Sequence, residues 1–212
     1  MLANILTLRT AVAALALAFG SSAALADTTL AVSIDTSMFG NSGWLDFQYN
    51  PANPGVSPAT TVTLSGFQGF DDSALVETIG QVTGSPAAGY VIGNGESLNS
   101  LFRAVDYGQV LSFNVTFAGD NVDLSGGAYG STFAVWAYDA DVTTTLGSSS
   151  AGDGRLVDIT WAPATALGGS GTFASASYSD AAAISAVPEP SSWLMLGVGA
   201  MLAAGAARRR QA

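Results

Sequence analysis

The sequence has no cysteine and no histidine, and its six basic residues are all arginines, so lysine is missing too. Each gap closes off a chemistry. Without histidine there is no Ser-His-Asp or Cys-His relay, and no zinc held by imidazole. Without cysteine there is no thiol nucleophile. There are also no disulfides, even in an oxidising compartment that would allow them. Without lysine there is no Schiff base, no P-loop and no Ser-Lys dyad. Gly169-Ser170-Gly171 does not extend into a dinucleotide fingerprint, and no G-x-S-x-G occurs.

Positive charge is scarce as well. From Asp27 to Val187 only Arg103 and Arg155 stand against 15 Asp and Glu, a formal charge of −13. Nucleic acids and anionic lipid surfaces both need basic patches, so neither is an expected partner. The 161 residues of this stretch suffice for one domain with a sizeable core, which must hold itself together without disulfides.

Along that body, apolar residues alternate with polar ones at period two, the pattern of half-buried strands. Leu30, Val32 and Ile34 mark the first, and Leu45, Phe47 and Tyr49 the second, which ends at Asn50-Pro51. Pro51 to Pro58 reads as a loop. Val62 and Leu64 follow, then a weaker strand about Leu75, Val76 and Ile79. Gly80 to Gly95 is rich in glycine, with Gly93-Asn94-Gly95 a turn signal. Between Glu96 and Tyr107 the pattern blurs, leaving one helical turn or an edge strand open.

Leu111, Phe113, Val115 and Phe117 form the cleanest strand. Phe133 to Tyr138 is apolar on both faces, which places it near the middle of two packed layers. Asp139 to Gly154 is a loop, Val157, Ile159 and Trp161 another strand, and Phe173 to Tyr178 an edge. With no convincing long helix, the expected fold is all-β: an antiparallel β-sandwich of jelly-roll kind over residues 27–180. An immunoglobulin-like sandwich is the alternative, although its cysteine pair is missing. Residues 181–187 are expected to be a small-residue linker.

Both ends carry a different pattern. Met1 to Ala26 has Arg9, an apolar run from Ala11 to Phe19, helix-breaking Gly20, Ser21 and Ser22, and then Ala24-Leu25-Ala26. That order is a secretory signal peptide, with Ala24 and Ala26 at the cleavage positions and Asp27 as the expected first mature residue. The Sec translocon and signal peptidase are the implied partners.

At the other end, Val187-Pro188-Glu189-Pro190-Ser191 leads to an uncharged run, Trp193 to Ala207, and then Arg208-Arg209-Arg210. Pro188 and Pro190 fix φ and push their neighbours toward extended backbone, the shape a protease-like cleft accepts. As a helix the 15-residue run would be about 22 Å long. That is short for a bilayer, which suits a transient anchor. The arginines should stay cytoplasmic by the positive-inside rule, with Trp193 at the opposite interface.

These residues, in this order at the chain's end, resemble the PEP-CTERM sorting signal. The resemblance implies an exosortase that reads Pro188, Glu189 and Pro190 with Arg208, Arg209 and Arg210. It implies an inner-membrane precursor with its body on the periplasmic side, and then delivery to the cell surface or extracellular matrix, in contact with exopolysaccharide. Ile34-Asp35-Thr36-Ser37, Leu45 through Pro51 and Phe133 through Asp141 resemble, more loosely, a group of domains that precede such tails, to which no activity is attached.

Within the body only carboxylate chemistry is left. Asp120-Asn121-Val122-Asp123 and Asp139-Ala140-Asp141 each crowd oxygens into a turn, so Asp120, Asp123, Asp139 and Asp141 are the candidate calcium ligands. Asp and Asn are also ordinary turn formers. A glycosidase needs two facing acids, for which Glu77 and Glu96 are the candidates, with Trp44, Trp136 or Trp161 as stacking platforms. Tryptophans left exposed would instead suit a carbohydrate-binding module. The expectation is a non-enzymatic exported protein without a required cofactor.

Overall fold

The computed structural model describes residues 28–119, 122–123, 127–167 and 171–187. Among these the regular elements are all strands: β1 (Thr28–Asp35), β2 (Ser42–Pro51), β3 (Thr60–Gln68), β4 (Val76–Ile79), β5 (Val82–Ser85), β6 (Gly89–Gly93), β7 (Ser100–Asp106), β8 (Val110–Gly119), β9 (Ser131–Tyr138), β10 (Val157–Ala162), β11 (Thr172–Ser177) and β12 (Ala182–Ala186). They form two six-stranded sheets, ordered β12-β1-β8-β3-β6-β5 and β11-β10-β9-β2-β7-β4, with every paired neighbour antiparallel. No helix among the described residues is long and apolar enough to cross a membrane; the expected signal and tail helices lie outside them.

The pairing is nested. β1 lies beside β8, β2 beside β7 and β3 beside β6, the chain crossing between sheets at each step. This is how a jelly roll winds two Greek keys around one core. β9, β10 and β11 widen the second sheet on the β2 side, and β12 widens the first on the β1 side.

The core lies between the sheets and follows from the alternation. Leu45, Phe47 and Tyr49 of β2 and Phe133 and Val135 of β9 meet Leu111, Phe113, Val115 and Phe117 of β8, all of them buried. Phe47 packs edge-on against Phe113 at 5.1 Å, and Tyr49 against Phe117 at 5.9 Å. Such offset ring contacts add to the area burial that stabilises a disulfide-free sandwich.

Two sequence expectations are corrected, and a third stretch gains strands the sequence did not mark. Gly80 to Gly95, rich in glycine, holds the β5–β6 hairpin; Gly84 (φ 113°) and Gly89 (φ 85°) take backbone that other residues avoid. The blurred segment before Tyr107 contains β7, an interior strand between β2 and β4. Residues 182–186, expected within a linker, form β12 and pair with β1 from Leu30–Ala186 to Ile34–Ala182.

β7 was hard to read because Arg103 stands where an aliphatic residue should, on the inward side between Leu101 and Val105, with its side chain fully buried. Its guanidinium carbon lies 4.8 Å from the ring centroids of both Phe67 and Phe70. Nη2 donates to Asp71 O at 3.0 Å and meets Asp72 Oδ1 at 3.2 Å, while Nε and Nη1 have no hydrogen-bond partner among the described residues. Phe67 reaches this spot because a register shift between Ser65 and Gln68, at Gly66 (φ 63°), reverses the facing of β3.

Candidate functional site

The face of the second sheet that looks away from the core carries the densest chemistry. On β2, Trp44, Asp46, Gln48 and Asn50 alternate with the inward residues. Registration sets their neighbours: Trp44 lies opposite Ala104 of β7 and Tyr138 of β9, and Asp46 opposite Phe102 and Trp136. Side chains directly opposite one another share a face. Four large rings, Trp44, Phe102, Trp136 and Tyr138, are therefore gathered around one strand, all half-buried.

Phe102 and Tyr138 flank β2 on either side and are offset by two residues along it, so their backbones stand about 12 Å apart at the usual strand spacing and rise. Their ring centroids are only 5.7 Å apart at 27°. The two rings thus lean together over β2, with Trp44 tilted against Phe102 at 6.2 Å.

Under this roof Asp46 is only 1% exposed, although it points outward. Ser100 Oγ donates to Asp46 Oδ1 at 2.5 Å and Gln48 Nε2 to Oδ2 at 2.6 Å. Burial pushes the Asp46 carboxyl above the usual carboxylate range, against the pull of those two bonds. Burial also raises the Tyr138 hydroxyl, with the charges of Asp46 and Asp153 adding to it.

From Asp46 a polar row runs along the same face. Asn50 Nδ2 donates to Gln48 Oε1 at 3.0 Å, and Asn99 N to Asn50 Oδ1 at 2.8 Å. A second row crosses β9 and β10: the Thr132 and Thr160 hydroxyls lie 3.0 Å apart, and Thr160 Oγ1 donates to Asp158 Oδ1 at 3.0 Å. Arg155 pairs with Asp158 and with Asp153, and its guanidinium lies over Tyr178. Trp136 Nε1 donates to Asp153 O at 3.3 Å. Beside Trp44 the face dips into a depression of about 200 Å³, with Ser42, Ala104, Asp71 and Asp106 among its walls.

The expected stacking residues divide. Trp44 and Trp136 are on this face, whereas Trp161, 5% exposed, belongs to the core. Phe102, Tyr138 and the Asp46 row were missed. The available signal was that Trp136 and Tyr138 alternate out of phase with the inward Phe133, Val135 and Ala137 of the same strand.

Glu77 lies on β4 opposite Phe102, and Glu96 in the turn between β6 and β7, both exposed. Asp123 and the Asp139–Asp141 turn lie at opposite ends of β9, whose eight residues span about 26 Å. Asp123, beside Ala164, accepts from Tyr129 N at 3.2 Å; Asp120 lies outside the described residues. Asp139 accepts from Thr143 N and Oγ1 and from Thr144 N at 2.8, 3.0 and 3.2 Å, bonds that hold its carboxyl below the usual range, the Thr143 N–H first. Asp141 is exposed in the same loop. Among the described residues no three acids gather as a metal site.

The last described residue, Val187, donates its N–H to Thr29 O at 3.2 Å. Pro188, Glu189, Pro190 and Arg208 to Arg210, like Ala24 and Ala26, lie outside the described residues. Their sequence is nonetheless informative. Residues 186–211 match the PEP-CTERM protein-sorting motif, which makes this β-sandwich the cargo of an exported protein sorted toward the cell envelope or surface. The motif's processing partner is an exosortase. No curated protein and no solved structure matches the chain.

Proposed function

We propose that the chain is a non-enzymatic protein of the cell surface or extracellular matrix. It is exported through the Sec translocon, trimmed by signal peptidase behind Ala26, held briefly in the inner membrane with its body on the periplasmic side, and cut by the exosortase near Pro190. It then takes its place among the exopolysaccharide of the envelope or biofilm matrix. The observation carrying this reading is the direct junction between sandwich and motif: β12 ends at Ala186, where the matched motif begins. A body without histidine, cysteine or lysine, whose Asp139 carboxylate caps its own turn, supports a role that needs neither catalysis nor cofactor.

Deleting the exosortase tests this. The full-length form should accumulate in the inner membrane, and the cell-surface fraction should lose a species of the intact mass expected for a chain beginning at Asp27. Unchanged mass and location would overturn the proposal.

A second reading, a carbohydrate-binding sandwich, draws support from Trp44 and Trp136 on the outward face. A glycoside hydrolase has less in its favour, since Glu77 and Glu96 sit exposed on separate segments.

A further inference from the structure

We propose that the outward face of the β11-β10-β9-β2-β7-β4 sheet binds an uncharged polysaccharide, with Trp44 and Trp136 stacking on sugar rings and the Gln48–Asn50 row meeting hydroxyls. The inference rests on the surface-matrix reading above and assigns it a face and a ligand class.

A pyranose presents an apolar C–H face and a rim of hydroxyls. Its complement is an aromatic platform with amide and carboxylate groups within reach, because stacking buries the C–H face and the rim needs donors and acceptors that stay hydrogen-bonded. This face has both. Phe102 and Tyr138 are turned toward each other, which leaves the two indoles as the platform. Trp44 and Trp136 are diagonal neighbours across β2 and β9, roughly 7–8 Å apart at the backbone. The amides of Gln48 and Asn50 are already oriented by bonds at 2.6, 3.0 and 2.8 Å, so little side-chain freedom is lost on binding. The depression beside Trp44, about 200 Å³ with Asp71 and Asp106 in its walls, continues the same line of acceptors.

Charge selects among glycans. Among the described residues the one cation on this face, Arg155, is paired with Asp153 and Asp158, and the other arginine of the body, Arg103, is buried in the core. With 15 acids against those two arginines, the body repels polyanionic polymers, anionic lipid and a second copy of itself. A neutral chain of sugars meets no such repulsion and needs no cation.

The test uses mature protein recovered from the producing cells, run by affinity electrophoresis through gels holding laminarin, hydroxyethyl cellulose, dextran or alginate. Further gels hold the neutral and acidic polysaccharide fractions of the cells' own envelope. Retardation is expected in at least one neutral gel, and in neither alginate nor the acidic fraction. Trp44→Ala and Trp136→Ala should each weaken it at least tenfold with an unchanged thermal midpoint, and Trp44→Phe should restore part of it. Where an alanine variant fails to fold, acetylation of the ligand's hydroxyls, which should abolish retardation, takes its place. Retardation by the acidic polymers, by no neutral polymer, or undiminished in both alanine variants overturns the inference. A protein found in the matrix but not retarded sinks this face alone, whereas one missing from the surface sinks the localisation reading.

Discussion

Arg103 and Asp72 form an ion pair with unequal partners: the guanidinium side chain is fully buried, while the carboxylate side chain is 73% exposed. The arginine has left water for two phenylalanine rings and one carbonyl, and the exposed aspartate returns little of that cost. Arg103→Met should therefore hold stability within about 1 kcal/mol of the parent, since a flexible thioether packs well against aromatic rings. Arg103→Ala should lose about 3 kcal/mol by opening a cavity. Urea unfolding of both variants decides it; equal losses would mean the charge itself matters.

Gly43 sits where β2 passes closest to its neighbours. A Cβ there would come within 2.1 Å of Tyr138 O and 2.6 Å of the Tyr107 ring. The Tyr107 hydroxyl lies 2.9 Å from both Trp44 O and Tyr138 O, where it can donate. Gly43→Ala should force these strands apart and destabilise the fold by about 2 kcal/mol. It should also blunt the near-ultraviolet dichroism of the ring cluster around Trp44.

Asp46 gives a pH signature. Its carboxyl is raised in the folded state by burial, so between the unfolded value near 3.8 and the higher folded value the native protein holds more protons than the unfolded chain. By linkage, this group adds stability as pH falls through that window and withdraws it as pH rises. Asp35, Asp71 and Asp139 are lowered, each chiefly by a backbone N–H, and act in the opposite sense. Asp46→Asn removes the favourable contribution, so its urea midpoint should decline more steeply on acidification than that of the parent. Parallel pH profiles would contradict this placement of Asp46.

Asp139 closes its own loop through Thr143 and Thr144. Asp139→Ala should loosen residues 140–145, seen as faster amide exchange and earlier proteolytic nicking there, while β9 stays protected. Adding calcium or a chelator should leave the parent's thermal midpoint unmoved. A calcium-dependent rise would show that the turn serves an ion.

The strands legible in the sequence are those whose inward residues are large and apolar, such as Leu111 to Phe117. Four others were hidden for physical reasons. β5 and β6 are built on glycines that normally signal turns, β7 has a cation facing inward, and β12 is alanine and serine with one isoleucine. The aromatic face was half visible. Phe133 to Tyr138 reads as apolar on both sides, and its second side proves to be the outward ring cluster rather than another buried layer. Asp46 could not be foreseen, because its burial depends on Phe102 and Tyr138 arriving from two different strands.

The pairing of β1 with β12 has a mechanical consequence. Thr28 and Val187 leave the sandwich at one corner, so tension applied between these two residues acts across the ladder and opens its five rungs singly, starting at Leu30–Ala186. Rungs bordered by small side chains yield at lower force than the ring-packed interior. The strand next to the tail is thus a fuse: it unzips and lengthens the tether before any aromatic contact inside the sandwich is strained.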